Sequence, residues 1–188
     1  MKFHPLGILG AWLVESEVFE DERGFFREWF KSDEVKKATG LDFSVAQANV
    51  SLSKIGVIRG IHYSLAPGGQ AKWVTCTSGR ILDVIVDIRP ESPTFKHVEY
   101  IELHGPRATL IGADLGHGFL ALENDSVVTY LLSSPYQPEF EFEIQPTDSE
   151  LSIVWNVESL SGTSFLFSDK DINAPTLAER LEEGKLPK

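Results

Sequence analysis

The sequence contains one cysteine, Cys76, which excludes an intrachain disulfide and leaves no Cys pair for a zinc or redox motif. That usage suits a reducing compartment, and a lone thiol in an apolar strand reads as a small core residue. Basic side chains are scarce, 17 Lys and Arg against 28 Asp and Glu, for a formal charge of −11. This charge opposes bulk attraction to nucleic acid or anionic lipid, so neither is an expected partner, and an anionic ligand requires a local cluster of cations. Long apolar runs are missing too. The longest near the start, Pro5 to Val14, falls well short of the ~20 residues that cross a bilayer. Placed after Lys2 it mimics a signal peptide. However, Pro5, Gly7 and Gly10 interrupt it and no Ala-x-Ala site follows, so the cytoplasm is the expected location.

What is present is enough for a core. The chain has 188 residues, 42% hydrophobic, with 12 Phe, 4 Trp and 4 Tyr, a length and composition that predict one globular domain over residues 1–188. No internal repeat, low-complexity tract or linker interrupts it. From Phe43 to Trp155 the apolar pattern has the period of strands, in short runs punctuated by Gly and Pro. Strands are expected at Lys72 to Thr77, Ile81 to Ile88, Val98 to Leu103, Phe119 to Glu123, Val127 to Leu132 and Leu151 to Trp155. In Ile81 to Ile88, alternation puts Asp83 and Asp87 on one face with Ile81 and Ile85. Such a series predicts an all-β sandwich or barrel, with its core at about residues 43–156.

Helices are expected only on the flanks. Ser32 is placed to cap a short helix that starts with Asp33 and Glu34, carries Lys36 and Lys37, and stops at Gly40. A second is expected over Thr176 to Glu183, with Leu177 and Leu181 forming a narrow apolar stripe.

A strand over Val45 to Ser51 collects Gln47, Asn49 and Ser51 on one face and Ala46, Ala48 and Val50 on the other. Alone, this is an ordinary strand with its polar face in water. Soon after it come Arg59, His62, Tyr63, Gln70 and Lys72 among several glycines, a concentration of proton-transfer and anion-binding groups. A barrel gathers such alternate side chains into one lumen.

The segments Arg23-Gly24-Phe25-Phe26-Arg27-Glu28, Gln47-Ala48-Asn49, Gly56 to Tyr63, Gln70-Ala71-Lys72, Asp83 to Arg89, His117-Gly118-Phe119 and Ser168-Asp169-Lys170-Asp171 share a collinear pattern. In order and spacing they resemble the dTDP-4-dehydrorhamnose 3,5-epimerase family over roughly the whole chain. The resemblance implies a cupin-like jelly-roll β-barrel with short flanking helices and a homodimer. It also implies a cofactor-independent isomerase that converts dTDP-4-keto-6-deoxyglucose to dTDP-4-keto-L-rhamnose in deoxysugar biosynthesis.

Epimerisation beside a ketone removes a proton from one face of a carbon and returns one to the other through an enolate. It needs a base, an enolate stabiliser and an opposed acid. By resemblance His62 is the base, and imidazole ordinarily titrates closest to neutrality. Asp171 is its expected orienting partner, with Asp83 and Asp169 as competing carboxylates. Lys72 is the expected cation beside the enolate oxygen, and Tyr130 the opposed proton donor. For the nucleotide and sugar the resemblance points to Arg23, Glu28, Gln47, Asn49, Arg59, His117, Tyr136, Glu141 and Lys170. Tyr136 is expected to stack on thymine, and Arg23 and Glu28 to reach the neighbouring subunit's site.

No metal is expected, because Ser64 stands where a His-x-His pair would need its second imidazole. Three departures from the family pattern are expected near the pocket: Ala48 for an acidic residue, Ser64 for Gln, and Gly112-Ala113-Asp114-Leu115-Gly116 for a Pro-x-Gly-Phe-Ala segment. They bear on a second reading, a 3-only or 5-only epimerase of a related dTDP-4-keto sugar. A third is a nucleotide-sugar-binding barrel without turnover.

Overall fold

The computed structural model describes residues 1–155, 157–160 and 162–188, so the limit of the expected barrel span at residue 156 lies outside the described residues. Thirteen strands are described: β1 Lys2–Pro5, β2 Ala11–Glu15, β3 Phe19–Asp21, β4 Gly24–Phe26, β5 Gln47–Ser53, β6 Ile58–Ser64, β7 Lys72–Ser78, β8 Ile81–Asp87, β9 Val98–Leu103, β10 Arg107–Ile111, β11 Leu115–Ala121, β12 Ser126–Leu132 and β13 Glu141–Glu143. Helices α1 Ser32–Thr39, α2 Asp169–Ile172 and α3 Leu177–Glu182 flank them.

One sheet runs β1-β2-β10-β7-β12-β5 and another β13-β6-β11-β8-β9, with β3-β4 a separate hairpin. From β6 to β8 and again from β9 to β12, consecutive strands alternate between the two sheets. That crossing path makes the pair of antiparallel sheets a cupin-like jelly-roll barrel rather than a meander. Strands β1 and β2 extend the six-stranded sheet on the N-terminal side of the expected span, because β2 pairs with β10 from Arg107↔Glu15 to Ile111↔Ala11.

Three apolar layers hold this arrangement. Val74, Cys76, Ile81, Ile85, Ile111 and Phe119 fill one end of the space between the sheets. Outside the six-stranded sheet, Trp73 and Leu110 are covered by Val35 of α1 and by Phe43. Outside the five-stranded sheet, Ile61, Tyr63, Val84 and Val86 lie under Leu151, Trp155, Leu177 and Leu186. This explains why Leu151 to Trp155 is not the expected strand. Its apolar residues pack onto that sheet as turn and irregular backbone, with the Trp155 indole donating to the Pro146 carbonyl at 2.7 Å.

The helices also differ in detail. Lys31, not Ser32, occupies the cap position of α1 and makes no side-chain cap bond, while Gly40 ends the helix at φ 77° as expected of an achiral residue. Thr176 caps α3 in a reciprocal box with Glu179. The expected Leu177 and Leu181 stripe does not form. Leu181 is 49% exposed, and Arg180 is buried instead, donating to the Glu143 carbonyl at 2.9 Å and lying over Phe142.

Strand β5 begins at Gln47, and its faces are inverted relative to an ordinary solvent-facing strand: Ala48, Val50 and Leu52 are exposed, while Gln47, Asn49, Ser51 and Ser53 turn inward. The open end of the barrel is therefore lined with polar groups. Between β6 and β11 the backbones approach so closely that a Cβ on Gly60 would lie 2.5 Å from the Gly118 Cα and 2.8 Å from the His117 carbonyl oxygen. Only glycine fits there, at φ +122°, and that contact sets His62 and His117 side by side.

Candidate active site

A cleft of ≈ 410 Å³ opens at the polar end of the barrel. His62, Lys72 and Tyr130 border it from strands of both sheets, with Arg59, Tyr136 and Lys170 toward the outside.

Asp171 reaches His62 across 109 positions of sequence, and the backbone shows how. Leu166 forms a bridge to Val57, with its carbonyl accepting from Ile58 and its amide donating to Gly56, so the C-terminal segment is tacked along the start of β6. Ser168 then caps α2 by accepting the Asp171 amide at 3.1 Å. The Gln145 side chain holds the other end through the Ile172 carbonyl at 2.8 Å. This places the buried Asp171 carboxylate 2.7 Å from His62 Nε2. Burial pushes the Asp171 carboxyl up, but the imidazole and Ser168 together hold it below the ordinary carboxylate range. With Nε2 engaged, Nδ1 is the nitrogen of His62 left to face a substrate.

The competing carboxylates are occupied elsewhere. Asp83 accepts from His117 Nε2 at 2.7 Å and from the Thr109 hydroxyl at 2.7 Å, while Asp169 starts α2. Lys72 is buried, and its ammonium donates to the His62 carbonyl at 3.2 Å. Removal from water pushes its pKa down to about 8, against the upward pull of Glu141 and Asp83. Tyr130 stands on β12 opposite Asn49 of β5 and Val74 of β7, so it shares the inward face with Lys72.

The residues expected at a nucleotide end are also organised. Arg59 is braced by the Ser53 hydroxyl at 3.1 Å and the Leu52 carbonyl at 3.2 Å. Lys170 pairs with Glu143 at 3.0 Å, which keeps its pKa raised although burial works against the charge. Gln47 lies behind the cleft wall, donating to Asn49 at 2.9 Å and accepting the Tyr136 amide at 2.8 Å, so it positions two others. The Tyr136 ring is 55% exposed at the mouth. Glu141 accepts from Ser64 at 3.2 Å and Gln70 at 3.3 Å.

Arg23, Glu28 and His117 are not brought to this cleft. Arg23 is exposed and ion-paired with Asp21, and Glu28 pairs with Lys31 at 3.1 Å. His117 sits deeper, on the strand beside His62. Among the departures Ser64 hydrogen-bonds the cleft residue Glu141. Ala48 is on the exposed face of β5, and Gly112–Gly116, which follows β10 where Ile111 pairs with Lys72, does not line the cleft.

Sequence reasoning did not single out the apolar wall formed by Ile58, Leu166 and Phe167, nor Glu143 beneath Lys170. Nothing in local patterning marks those residues. Among the described residues no group of three or more His, Cys, Asp and Glu is arranged to hold a metal ion, and no helix is long and apolar enough to cross a membrane.

The family model for dTDP-4-dehydrorhamnose 3,5-epimerase matches residues 5–179. The chain belongs to that family. It is 45% identical to a dTDP-4-dehydro-6-deoxyglucose 3-epimerase from a Streptomyces species, over 98% of this chain and 93% of that one. It is 44% identical to a dTDP-4-dehydrorhamnose 3,5-epimerase of Streptomyces griseus, over 97% of this chain and 90% of the relative. A solved dTDP-6-deoxy-D-glucose 3,5-epimerase of Legionella pneumophila, in complex with dTDP-4-keto-L-rhamnose, superposes with a TM-score of 0.91 at 33% identity, covering 100% of this chain and 97% of that one.

Proposed function

We propose that the protein is a cofactor-independent isomerase of dTDP-4-keto-6-deoxyglucose, inverting carbons 3 and 5 to give dTDP-4-keto-L-rhamnose. The observation that carries the reading is the His62–Asp171 pair, 2.7 Å apart, in one cleft with Lys72 and Tyr130. His62 Nδ1 takes the proton from the carbon beside the ketone, and Asp171 stabilises the resulting imidazolium. Lys72 offsets the negative charge that develops on the carbonyl oxygen in a site partly shut off from water. Tyr130 returns a proton from the other face, its phenol being an acid that stays intact until a strong base forms. The enolate then collapses to the ketone with inverted configuration, and the same groups act on the second carbon after the ring has turned. Only protons move, so no cofactor is needed. His62, 42% exposed at its side chain, can return its proton to water, and the Tyr130 phenolate left by the donation regains one through the same open cleft before the second carbon reacts.

In this reading the diphosphate lies between Arg59 and Lys170, where charged forks and ammonium groups suit phosphate oxygens. Tyr136 stacks on the base, and Asn49 and Glu141 contact the sugar nucleotide. Residues 1–188 are read as one catalytic domain, in the cytoplasm.

We further propose a homodimer in which Arg23 and Glu28 complete the partner's cleft. What supports it is apolar surface with nothing on it: Val50 is 70% exposed, Leu52 59%, Phe25 69% and Phe26 64%. A dimer that covers these residues explains both the inverted faces of β5 and the distance of Arg23 and Glu28 from their own cleft.

The 45% relative named as a 3-epimerase favours one alternative, inversion at carbon 3 alone. The His62→Ala variant tests the shared mechanism. Turnover falls by about 10²–10⁴-fold, the usual contribution of a positioned base, while thymidine diphosphate binding is kept. Full activity in that variant contradicts the assignment.

A further inference from the structure

Asp171 is carried by a helix of four residues, α2, whose far end, Ile172, is 46% exposed. The main-chain bonds around it stay within the segment: the Ile172 amide donates to the Ser168 carbonyl at 3.0 Å and the Ala174 amide to the Asp171 carbonyl at 3.3 Å. They keep α2 wound but do not fix it to the barrel. A helix of one turn is not stable alone, so contacts with the rest of the molecule decide where its carboxylate stands.

Beyond Ile172 the chain meets a turn over Gln145 to Asp148, outside the cleft lining. The Gln145 side chain donates to the Ile172 carbonyl at 2.8 Å, and its amide donates to the Pro175 carbonyl at 2.9 Å. The buried Asp148 carboxylate accepts the Glu150 amide at 2.8 Å on one oxygen and the Leu177 amide at 2.6 Å on the other. The turn is itself pinned, because the Asp148 amide donates to the Gln145 carbonyl at 3.1 Å and the Trp155 indole to the Pro146 carbonyl at 2.7 Å. On its other side Ile144 exchanges both backbone bonds with Ile61, at 2.9 and 3.1 Å, and Glu143 is paired with His62. His62 follows Ile61 and Gln145 follows Ile144, so the imidazole and the clamp on its carboxylate hang from adjacent positions of one frame.

We infer that Gln145 is a positioning residue for proton transfer, acting from outside the cleft through the Ile172 carbonyl to hold Asp171 against His62. The inference rests on the epimerase reading above. The carbonyl it binds is one that a helix C-terminus leaves without an internal partner, so the amide of Gln145 both satisfies it and fixes the end of α2 next to Asp171. Losing that donor frees α2 at the residue beside the carboxylate. Misplacement by about 1 Å, caused far from the chemistry, costs on the order of 100-fold in rate, because the carboxylate no longer holds the imidazole in one tautomer and orientation. Lys170 is less affected, since its long side chain has its own hold on Glu143 at 3.0 Å. The signature is therefore a loss of rate with nucleotide binding kept.

The test is a double-mutant cycle on kcat for dTDP-4-keto-6-deoxyglucose. Gln145→Ala and Gln145→Met are each made in wild type and in Asp171→Asn, with thymidine diphosphate titration as the check on folding and long-range proton–nitrogen NMR of the His62 ring as a readout independent of turnover. Gln145→Ala lowers kcat by about 10–100-fold in wild type. Gln145→Met, which refills the space without a donor, loses as much. In Asp171→Asn the same substitutions cost less than about 3-fold further, because residues that act as a unit are not additive. The His62 ring shows one tautomer in wild type, with the proton on Nε2, and a mixture in Gln145→Ala. Full activity in Gln145→Ala, rescue by Gln145→Met, or an equal loss in both backgrounds overturns the inference and leaves the epimerase reading intact. A wild type that does not epimerise the sugar removes the epimerase reading; the ring spectra then decide the positioning alone, a single tautomer in Gln145→Ala overturning it and a mixture supporting it.

Discussion

His62 and His117 face each other across antiparallel β6 and β11, and each gives its Nε2 to a carboxylate 2.7 Å away, His62 to Asp171 and His117 to Asp83. The two pairs differ in setting. The His62 side chain is 42% exposed at the cleft, whereas His117 is 12% exposed and its Asp83 is fully buried. The first pair is placed to exchange a proton with water and the second to hold a fixed hydrogen-bonding pattern.

Asp171→Asn separates orientation from binding. The amide keeps the shape of the carboxylate but neither stabilises the imidazolium nor enforces the tautomer, so kcat falls by about 10²–10⁴-fold with thymidine diphosphate affinity retained. Steady-state kinetics beside calorimetric titration measure both. A loss confined to affinity would place Asp171 in binding rather than proton transfer.

In the proposed mechanism Lys72 sets the alkaline limit. With its pKa pushed to about 8 by burial, the ammonium is lost as pH rises through that value, and with it the charge that offsets the enolate. The pH profile of kcat/KM therefore declines above about 8, and Lys72→Met loses that limb together with most of the rate. Stability responds oppositely. The unfolded lysine titrates at its ordinary 10.5, so between about 8 and 10.5 the unfolded chain binds the extra proton and this site's contribution to stability rises with pH. The difference in urea midpoint between wild type and Lys72→Met, followed across that window, reads the effect.

Val50→Glu and Leu52→Glu test the dimer. Both side chains are exposed on β5 and face away from the cleft, so a carboxylate there leaves the fold intact but opposes burial in an apolar interface. Sedimentation is expected to show a monomer, with turnover reduced because Arg23 and Glu28 no longer reach a partner. A variant that sediments as wild type with full activity contradicts the proposed interface.

Much of the barrel was legible from alternation: Lys72–Ser78, Ile81–Asp87 and Val98–Leu103 lie within a residue of the expected spans. The polar face of β5 was legible as a face, but alternation alone did not give its direction, because a period of two does not say which side is water; the Arg59, His62 and Lys72 that follow it pointed inward, as the structure has it. Leu151 to Trp155 failed for a related reason. An apolar run that covers a sheet from outside looks the same as one inside it, and tertiary packing decides. The choice among Asp171, Asp83 and Asp169 was beyond local pattern, since it depends on where Leu166 docks against Val57. Arg180 replaced Leu181 on the buried side of α3 because its guanidinium lies over the Phe142 ring and donates to the Glu143 carbonyl.

The most direct test of the account is proton exchange. The protein is incubated with dTDP-4-keto-6-deoxyglucose in deuterated water, and carbons 3 and 5 are followed by NMR. The account predicts deuterium at both carbons, with product coupling constants showing inversion at each. Deuterium at carbon 3 alone would narrow the activity to a single centre, and no exchange at either carbon would contradict the assignment of His62 as a base for this sugar.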